Sequence, residues 1–240
     1  EILSLDLKTL EYKPQVKPKF ATLDAAKKVD DLRERTKLVY NGTDKAGEFY
    51  RRSFHAMFAY VSNRIPEISD ELYRIDDGMR AGFGWELGPF EAWEAIGVKA
   101  VKEAMDAAGV KMAAWVNDFV AAGHTHFYKR EGGKRLYYDV ASKSYKAIPG
   151  QEDLIVLADL PENSIVWKNA NATVRDLGDG ILAVSWNSKM NTIGAEVIQG
   201  LNKAIDLAEA GYKGLVVYND GALFSAGANV GMIFMMAVEQ

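Results

Sequence analysis

The chain has 240 residues, of which 29 are Lys or Arg and 33 are Asp or Glu, for a formal net charge of −4. This mildly acidic balance argues against a nucleic acid or an anionic membrane as partner, because both call for a basic surface. Hydrophobic residues make up 48% of the chain, so we expect a packed core, and the absence of cysteine excludes disulfides and thiolate metal sites.

Residues 1–40 are expected to be a connector with one short helix. Pro14 and Pro18 lie among lysines, which is typical of an extended, solvated segment. Asp24 is placed to cap a helix that runs to Val39.

Residues 41–123 are expected to form an all-α unit of five short helices. The first of them carries an apolar stripe at i, i+3, i+4 and i+7, formed by Phe54, Met57, Phe58 and Val61. Pro66 and Pro89 are predicted to begin the second and third helices, because proline suits a first helical turn. Glycines are predicted to end the helices, at Gly82 and Gly84, Gly97, Gly109 and Gly123.

Residues 124–170 are expected to be a β-rich connector. Residues 126–140 are predicted to form a hairpin whose turn contains Gly132 and Gly133. Two further short strands are predicted at 154–157 and 165–167, separated by Pro161.

Residues 171–240 are expected to begin an α/β domain. Strands are predicted at 172–176 and 181–186, then a helix, a buried strand at 214–218, a loop from Asp220 to Gly227 and an apolar helix. This order favours an α/β architecture, but about 70 residues are too few to complete one. The predicted fold class is therefore an α+β multidomain fragment.

The loop Ser225–Asn229 is the strongest candidate for chemistry. It follows a buried strand and opens a helix, and its small residues allow a ligand to approach the backbone. Free N–H groups at a helix start can stabilise negative charge on a carbonyl oxygen. A plain strand-to-helix turn is the alternative reading.

The same region resembles the enoyl-CoA hydratase (crotonase) superfamily. The similarity lies in Phe224–Asn229, in the strand 181–187 and in the segment 191–193. The resemblance implies that the Ala228 N–H is one oxyanion-hole donor, that Ser225, Ala226 and Gly227 form the acyl-CoA-binding loop, and that residues 191–193 line the adenine pocket. Asn229 stands where that family commonly has Asp, and the family's second donor and catalytic glutamates correspond to positions beyond residue 240.

The helical segment resembles the C-terminal domain of 3-hydroxyacyl-CoA dehydrogenases. The similarity lies in Asn63-Arg64 and in Gly88-Pro89-Phe90-Glu91. Gly88 is expected to allow a close approach, Pro89 to begin a helix and Phe90 to anchor it. This domain often occurs twice in fused β-oxidation enzymes, and this copy is similar to the second, in which case Asn63 is structural rather than catalytic.

Together the two resemblances imply a piece of a bifunctional enzyme of fatty-acid β-oxidation. The parent would hydrate 2-enoyl-CoA and oxidise 3-hydroxyacyl-CoA with NAD, and the piece would hold neither complete active site. No strand here leads into a Gly-x-Gly-x-x-Gly loop, so NAD is expected to bind elsewhere in the parent. The alternatives are a non-catalytic module that positions the two active sites, or a crotonase-like isomerase.

The expected partners are an acyl-CoA substrate and the remaining domains of the parent, with no metal and no nucleic acid. No apolar run reaches the ~20 residues of a membrane-spanning helix, and no signal peptide is evident, so a cytoplasmic setting is expected. The chain starts without Met and ends in the apolar stretch 232–238, which indicates a piece of a longer polypeptide. That stretch, if exposed, is expected to cause self-association.

Other polar and aromatic residues are given structural roles. His124 and His126 are expected to be loop polar groups rather than metal ligands, and His55 a core histidine with a satisfied ring. Asp76 and Asp77 are expected to bond neighbouring loops. The aromatic residues are expected to build a core rather than an acyl pocket; these are Phe83, Trp85, Phe90 and Trp93.

Overall fold

The structure is a computed structural model that describes residues 2–131, 134–151, 154–157, 160–219 and 223–238. The chain divides into two compact units, one up to Leu154 and one from Ile155. The predicted boundaries at residues 40, 123 and 170 remain predictions. Gly132 and Gly133 of the predicted hairpin turn, and Asp220 of the predicted loop, lie outside the described residues.

The first unit contains a two-stranded hairpin, seven helices and a three-stranded sheet among its described residues. The hairpin strands are β1 (Leu3–Leu5) and β2 (Tyr12–Pro14). The helices are α1 (Ala21–Ala26), α2 (Leu32–Asn41), α3 (Lys45–Asn63), α4 (Leu72–Phe83), α5 (Pro89–Ile96), α6 (Val98–Ala107) and α7 (Ala114–Ala121). The sheet has the antiparallel order β3 (Tyr128–Glu131), β4 (Lys134–Asp139), β5 (Ser144–Ala147).

One aromatic core joins the helices to this sheet. Phe58 stacks on Trp93 with ring centroids 4.8 Å apart, and Phe127 meets Phe90 edge-on at 5.4 Å. All four side chains are fully buried, and Tyr137 of β4 belongs to the same cluster. The sheet is thus part of the core of the helical unit, because its inner face supplies aromatic area that the helices cover.

The start of the chain differs from the prediction. Asp24 lies inside α1, and α2 begins only after Asp31, whose carboxylate accepts a hydrogen bond from the Glu34 N–H at 2.8 Å. The single predicted helix is therefore two, because Asp31 is the residue that satisfies an unpaired N–H at a helix start. The supposed connector also contains the β1–β2 hairpin.

The role of Pro66 was also predicted wrongly. Residues 64–68 form turns between α3 and α4, and α4 begins at Leu72. Ile68, in the last of these turns, is 67% exposed. Gly82, which was also predicted to end this helix, lies inside α4; Gly84 caps α4 in the left-handed conformation with φ +66°, and Gly97 ends α5 with φ +118°, as predicted.

The second unit is a four-stranded sheet with one helix packed on it. Its elements are β6 (Ile165–Lys168), β7 (Ala172–Gly178), β8 (Ile181–Trp186), α8 (Ala195–Gly211), β9 (Gly214–Val217) and α9 (Val230–Val238). The sheet order is β6-β7-β8-β9, with β8 and β9 parallel and the other pairs antiparallel. The predicted order of elements is confirmed, whereas its attribution to the crotonase fold remains a proposal. The strand predicted to be buried at 214–218 is not: Val216, Val217 and Tyr218 are each more than 40% exposed.

Small residues let α8 approach the sheet closely. A Cβ on Gly200 would lie 2.4 Å from the Cβ of Ala172, and Ala204 is fully buried one turn later.

The strand predicted at 154–157 does not form, and Leu154 and Ile155 are more than half exposed. Among the described helices, none combines the length and the apolarity that crossing a bilayer demands.

Candidate functional site

The segment that follows β9 returns to the residues that precede α8. The Ile193 N–H donates to the Gly227 carbonyl at 2.8 Å, and the Asn229 N–H donates to the Ile193 carbonyl at 2.9 Å. These bonds form a short parallel bridge between Ile193 and Ala228. Two regions that the sequence assigned to one site are therefore adjacent in the structure.

Asn191 also forms hydrogen bonds with the loop. Its amide donates to the Leu223 carbonyl at 2.8 Å, and its own carbonyl accepts from the Ser225 hydroxyl at 2.7 Å. The indole of Trp186 donates to that carbonyl as well, at 2.9 Å. The loop is thus held at several backbone atoms, which fixes the directions of its N–H groups.

Some backbone N–H groups of the loop donate hydrogen bonds within the protein, and one does not. Those of Ala226 and Asn229 donate to backbone carbonyls, and that of Gly227 donates to the Ser225 hydroxyl at 3.0 Å. The Ala228 N–H has no hydrogen-bond partner within the described chain, and the residue is exposed. A free N–H on a fixed backbone is the kind of donor that an oxyanion requires.

Two asparagines support this arrangement. Asn229 is the N-cap of α9, where its side-chain oxygen accepts from the Met232 N–H at 3.1 Å. Asn219 is buried, accepts from the Trp186 N–H at 2.8 Å and donates to the Phe224 carbonyl at 2.8 Å. Sequence reasoning missed Asn219, since a single Asn after a strand has no distinctive pattern.

One cleft adjoins the loop at Asn229, and a second lies at Asn191, which bonds the loop. One of about 310 Å³ is lined by Ser188, Thr192, Glu196 and Asn229 among others. The other, of about 330 Å³, is lined by Arg175, Ser185, Asn187 and Asn191 among others. Among the described residues that line the two clefts, Glu196 is the only one with a carboxylate side chain. It accepts a hydrogen bond from the Asn171 amide.

Asn63 has a local partner. It is exposed at the C-terminal end of α3, and its amide donates to the Ala59 carbonyl one turn earlier, at 2.8 Å. This bond supports the structural role that the sequence favoured, while a catalytic role for Asn63 stays untested.

The Gly88–Glu91 motif surrounds a buried carboxylate, Asp76 of α4. Asp76 accepts hydrogen bonds from the Phe90 N–H at 2.8 Å, the Glu91 N–H at 3.1 Å and the Tyr128 hydroxyl at 2.6 Å. A Cβ on Gly88 would lie 2.3 Å from the Asp76 Cβ, so the predicted close approach at Gly88 is present. Asp76 thus caps α5 from a neighbouring helix, whereas Asp77, which was also predicted to bond a loop, pairs with Arg80 of its own helix.

The carboxylate of Glu91 is also buried and is shared by two guanidinium groups, those of Arg80 and Arg135. Burial by itself would raise the pKa of Glu91. The Gly88 N–H and the two arginines outweigh that effect and hold the pKa below its usual value. Asp76 has no such cationic partner among the described residues, and its burial raises its pKa to about 7.

The histidines have ordinary structural partners. The His55 ring is buried and bonded to the Tyr40 hydroxyl at 2.8 Å, as expected for a satisfied core histidine. The His126 ring bonds Thr125, and the His124 ring packs beside Phe119 at 5.2 Å. The part of the chain that the structure describes brings no three metal-ligating side chains together.

An NAD site does not fit the described residues. The loop between β8 and α8 has no Gly-x-Gly-x-x-Gly sequence, and Gly82 lies inside α4 while Gly84 caps that helix, so neither follows a strand. The backbone approach that a pyrophosphate needs is therefore not built here.

Comparison with known proteins finds three curated relatives. The chain is 37% identical over 235 residues to a probable 3-hydroxyacyl-CoA dehydrogenase of Bacillus subtilis. It is 28% and 26% identical over 187 residues to putative fatty acid oxidation complex trifunctional enzymes of Rickettsia prowazekii and Rickettsia felis. The match covers 98% of this chain but only 30% of the Bacillus protein, and 78% of this chain but only 23% of each Rickettsia protein. No protein-family profile and no solved structure matches significantly.

The comparisons support the dehydrogenase side of the sequence interpretation. All three relatives are named for a 3-hydroxyacyl-CoA dehydrogenase or for fatty acid oxidation, and the Bacillus match runs through both units of the structure. The chain spans less than a third of the length of each relative, so the activity of a whole protein remains a matter for proposal.

Proposed function

We propose that this chain is part of a multifunctional enzyme of fatty-acid oxidation that oxidises 3-hydroxyacyl-CoA with NAD and hydrates 2-enoyl-CoA. The observation that carries the proposal is the 37% identity to a probable 3-hydroxyacyl-CoA dehydrogenase over 98% of the chain. NAD supplies the hydride acceptor in the parent. Because no described loop fits a dinucleotide, no step of that reaction is assigned to residues of this chain.

The second unit is proposed to bind the CoA thioester. When water adds to a 2-enoyl thioester, negative charge develops on the thioester oxygen, and a fixed N–H stabilises it. The Ala228 N–H, which no described residue accepts, is available for this role, and Ser225, Ala226 and Gly227 form the loop that carries it. Their assignment rests on the resemblance and on the free N–H.

The chain alone is proposed to be inactive. Hydration needs carboxylates placed around one water for acid–base work. Of the described residues that line the two clefts beside the loop, Glu196 alone is acidic. A paired carboxylate would then come from another part of the parent.

The second candidate function is a non-catalytic module that positions active sites. The observation that favours it is that the distinctive residues of the first unit are bonded within the unit, with Glu91 between two arginines and Asn63 on its own helix. A crotonase-like isomerase is the remaining alternative, and it would require turnover by this chain.

Calorimetric titration with a short 2-enoyl-CoA, with the thioester absorbance followed in the same sample, tests the proposal. We expect binding without turnover. A lack of binding would contradict a preformed thioester loop and favour the positioning module. Turnover would contradict the assignment of the missing carboxylates to the rest of the parent.

Replacement of Ala228 tests the donor directly. Ala228→Pro removes the N–H without breaking a hydrogen bond within the described chain, and we expect the thioester to bind about fivefold more weakly, since one hydrogen bond contributes about 1 kcal/mol. In the parent, hydration should slow by about 10²–10³-fold, because the bond strengthens as charge develops. Ala228→Gly keeps the N–H and is the matched control. Unchanged binding and hydration by a folded Ala228→Pro protein would rule out this N–H as the donor.

A further inference from the structure

The first unit contains one hairpin motif twice. Four residues recur with the same identity and the same spacing in the β1–β2 and β4–β5 hairpins: Leu3, Asp6, Tyr12 and Lys13 in the first, and Leu136, Asp139, Tyr145 and Lys146 in the second. The strand registers also match, because Leu5 pairs with Tyr12 in the first hairpin and Tyr138 pairs with Tyr145 in the second. Two segments far apart in the chain therefore adopt the same local structure.

The two turns are built around the same aspartate. In each hairpin its carboxylate accepts at least one backbone N–H of the turn. It also pairs with the conserved-spacing lysine, Asp6 with Lys13 at 2.8 Å and Asp139 with Lys146 at 2.9 Å. The fourth residue after the aspartate is left-handed in both, with φ +59° in the first hairpin and +53° in the second. The two hairpins can therefore be compared face by face.

The β4–β5 hairpin shows what such a motif packs against. Tyr138 is buried, and the centroid of its ring lies 4.7 Å from that of Phe119 and 5.2 Å from that of His124. The Tyr145 ring lies 5.5 Å from His124, and its hydroxyl donates to the His126 carbonyl. The face formed by Tyr138 and Tyr145 thus covers the residues at the end of α7.

The end of α7 has a defined geometry. Gly123 has φ +82°, its N–H donates to the Val120 carbonyl at 3.0 Å, and the His124 N–H donates to the Phe119 carbonyl at 3.2 Å. This pair of bonds is a Schellman motif, which brings the side chains before and after the glycine together. The Phe119 and His124 rings are accordingly 5.2 Å apart. The surface that receives the hairpin is therefore a pair of rings at a glycine-capped helix end.

The corresponding face of the β1–β2 hairpin is uncovered in the described structure. Leu5, at the position of Tyr138, is 42% exposed, and Tyr12, at the position of Tyr145, is 70% exposed. Ser4 and Lys13 form the opposite, polar face. A two-stranded hairpin without packing is only marginally stable in water, so the apolar face requires a cover.

We propose that the face formed by Leu5 and Tyr12 docks on another helical unit of the parent, at the glycine-capped end of a helix that carries two rings as α7 does. The end of α7 itself is covered by Tyr138 and Tyr145, in this chain and equally in a second copy of it. The match spans 30% of the Bacillus relative, so a parent of that size has room for such a unit. The inference rests on the proposed function only in that the chain is part of a larger enzyme.

One difference between the hairpins specifies the partner further. Lys143 pairs with Asp118 of α7 at 2.8 Å, whereas Leu10, at the same position of the first hairpin, is 72% exposed. We therefore expect an apolar residue on the partner helix where α7 has Asp118.

Hydrogen exchange followed by mass spectrometry compares the hairpin in the 240-residue chain and in the parent. The amides of residues 3–13 should exchange at least about tenfold more slowly in the parent, because docking buries Leu5 and Tyr12. Leu5→Asp in the parent should remove this protection. Val16→Asp is the matched control, since Val16 is 86% exposed and lies beyond the strands, and it should keep the protection. Equal exchange in chain and parent, or equal loss in both variants, would overturn the proposal.

A photo-cross-linker identifies the occupant even if Leu5→Asp disrupts the hairpin itself. The amino acid p-benzoylphenylalanine in place of Tyr12 keeps a ring on the docking face. Irradiation of the parent should link residue 12 to a helix end within the same polypeptide and outside residues 1–240. A product of doubled mass would indicate a second copy, and a link to residues 15–240 would indicate a contact within this chain; either result would overturn the proposal.

Oxidation of 3-hydroxyacyl-CoA by the parent is a separate measurement. If the parent lacks this activity while the hairpin is protected, the proposed function fails and the docking stands. If the parent is active while the hairpin is unprotected, the docking alone is rejected.

Discussion

At the scale of single residues, Asp76 shows how one buried carboxylate holds three elements together. It accepts two N–H groups from the start of α5 and the hydroxyl of Tyr128 in β3. Burial raises its pKa to about 7 even though these three donors favour the charged form. The raised pKa has a definite consequence for stability.

The free energy of unfolding should fall as pH rises from about 4 to about 7, because folded Asp76 keeps its proton where unfolded Asp, with a pKa of 3.8, has lost it. Glu91 has the opposite effect at lower pH. Because its pKa in the folded protein is below the ordinary value of 4.5, it stabilises the fold above pH 4.5, and this stabilisation is lost as the pH falls through the folded pKa. Asp76→Asn should abolish the decline between pH 4 and 7.

Asparagine at residue 76 should also cost about 1–3 kcal/mol at pH 5, because its one acceptor oxygen cannot serve three buried donors. The difference in unfolding free energy between Asp76→Asn and the unaltered chain should become smaller toward pH 7, because Asp76 in the unaltered chain then becomes a buried charge. Urea unfolding at several pH values measures both effects. Asp77→Asn, an exposed change on the same helix, is the control and should keep the decline; a decline that persists in Asp76→Asn would contradict this account.

At the scale of secondary-structure elements, close helix contacts depend on glycines with ordinary backbone angles. Gly88 has φ −72°, so any residue could adopt its conformation, but a Cβ there would meet the Cβ and Cγ of Asp76 at 2.3 Å. Gly78 is the opposite case, since it is helical and meets nothing. Packing, not backbone strain, therefore decides what each position tolerates.

The same substitution should have opposite signs at these two glycines. Gly88→Ala should destabilise the first unit by about 1–3 kcal/mol, because α4 and α5 must move apart. Gly78→Ala should stabilise it by about 0.5–1 kcal/mol, since alanine loses less backbone entropy in a helix. Urea unfolding followed by far-UV circular dichroism compares the two. If both substitutions change the free energy of unfolding in the same direction, contact with Asp76 is not the reason that residue 88 is a glycine.

At the scale of the whole molecule, apolar side chains of α9 remain exposed. Ile233, Phe234, Met235 and Val238 are each more than half exposed. Contiguous apolar surface of this kind usually marks an interaction site or causes association. We expect the isolated chain to self-associate through this helix.

Lysine on α9 should reduce this association. Ile233→Lys combined with Phe234→Lys should lower the apparent mass in sedimentation or light scattering at high protein concentration, because charge replaces the apolar contact. Ile198→Lys combined with Ile205→Lys on α8, where both side chains are nearly half exposed, is the matched control. Equal changes in both double variants would indicate a general effect of charge.

The sequence by itself determined the elements whose signals are local. The glycine ends of α4 and α5, the start of α5 at Pro89, the burial of Phe90 and Trp93, and the β7–β8–α8–β9–α9 order all follow from periodicity and from proline and glycine chemistry. The similarity to β-oxidation enzymes was also evident from short motifs. Local preferences fail where two neighbouring signals compete, as at Asp24 and Asp31.

Only the tertiary structure decided which distant residues meet. It placed Asp76 at the start of α5, bonded the loop after β9 to Ile193, and left the Ala228 N–H without a partner among the described residues. It also left Phe83 and Trp85 exposed, at 73% and 39%, although the sequence predicted both to lie in the core, while it buried Phe90 and Trp93. These results depend on burial and on contacts between residues far apart in the chain, and no spacing within a single segment encodes them.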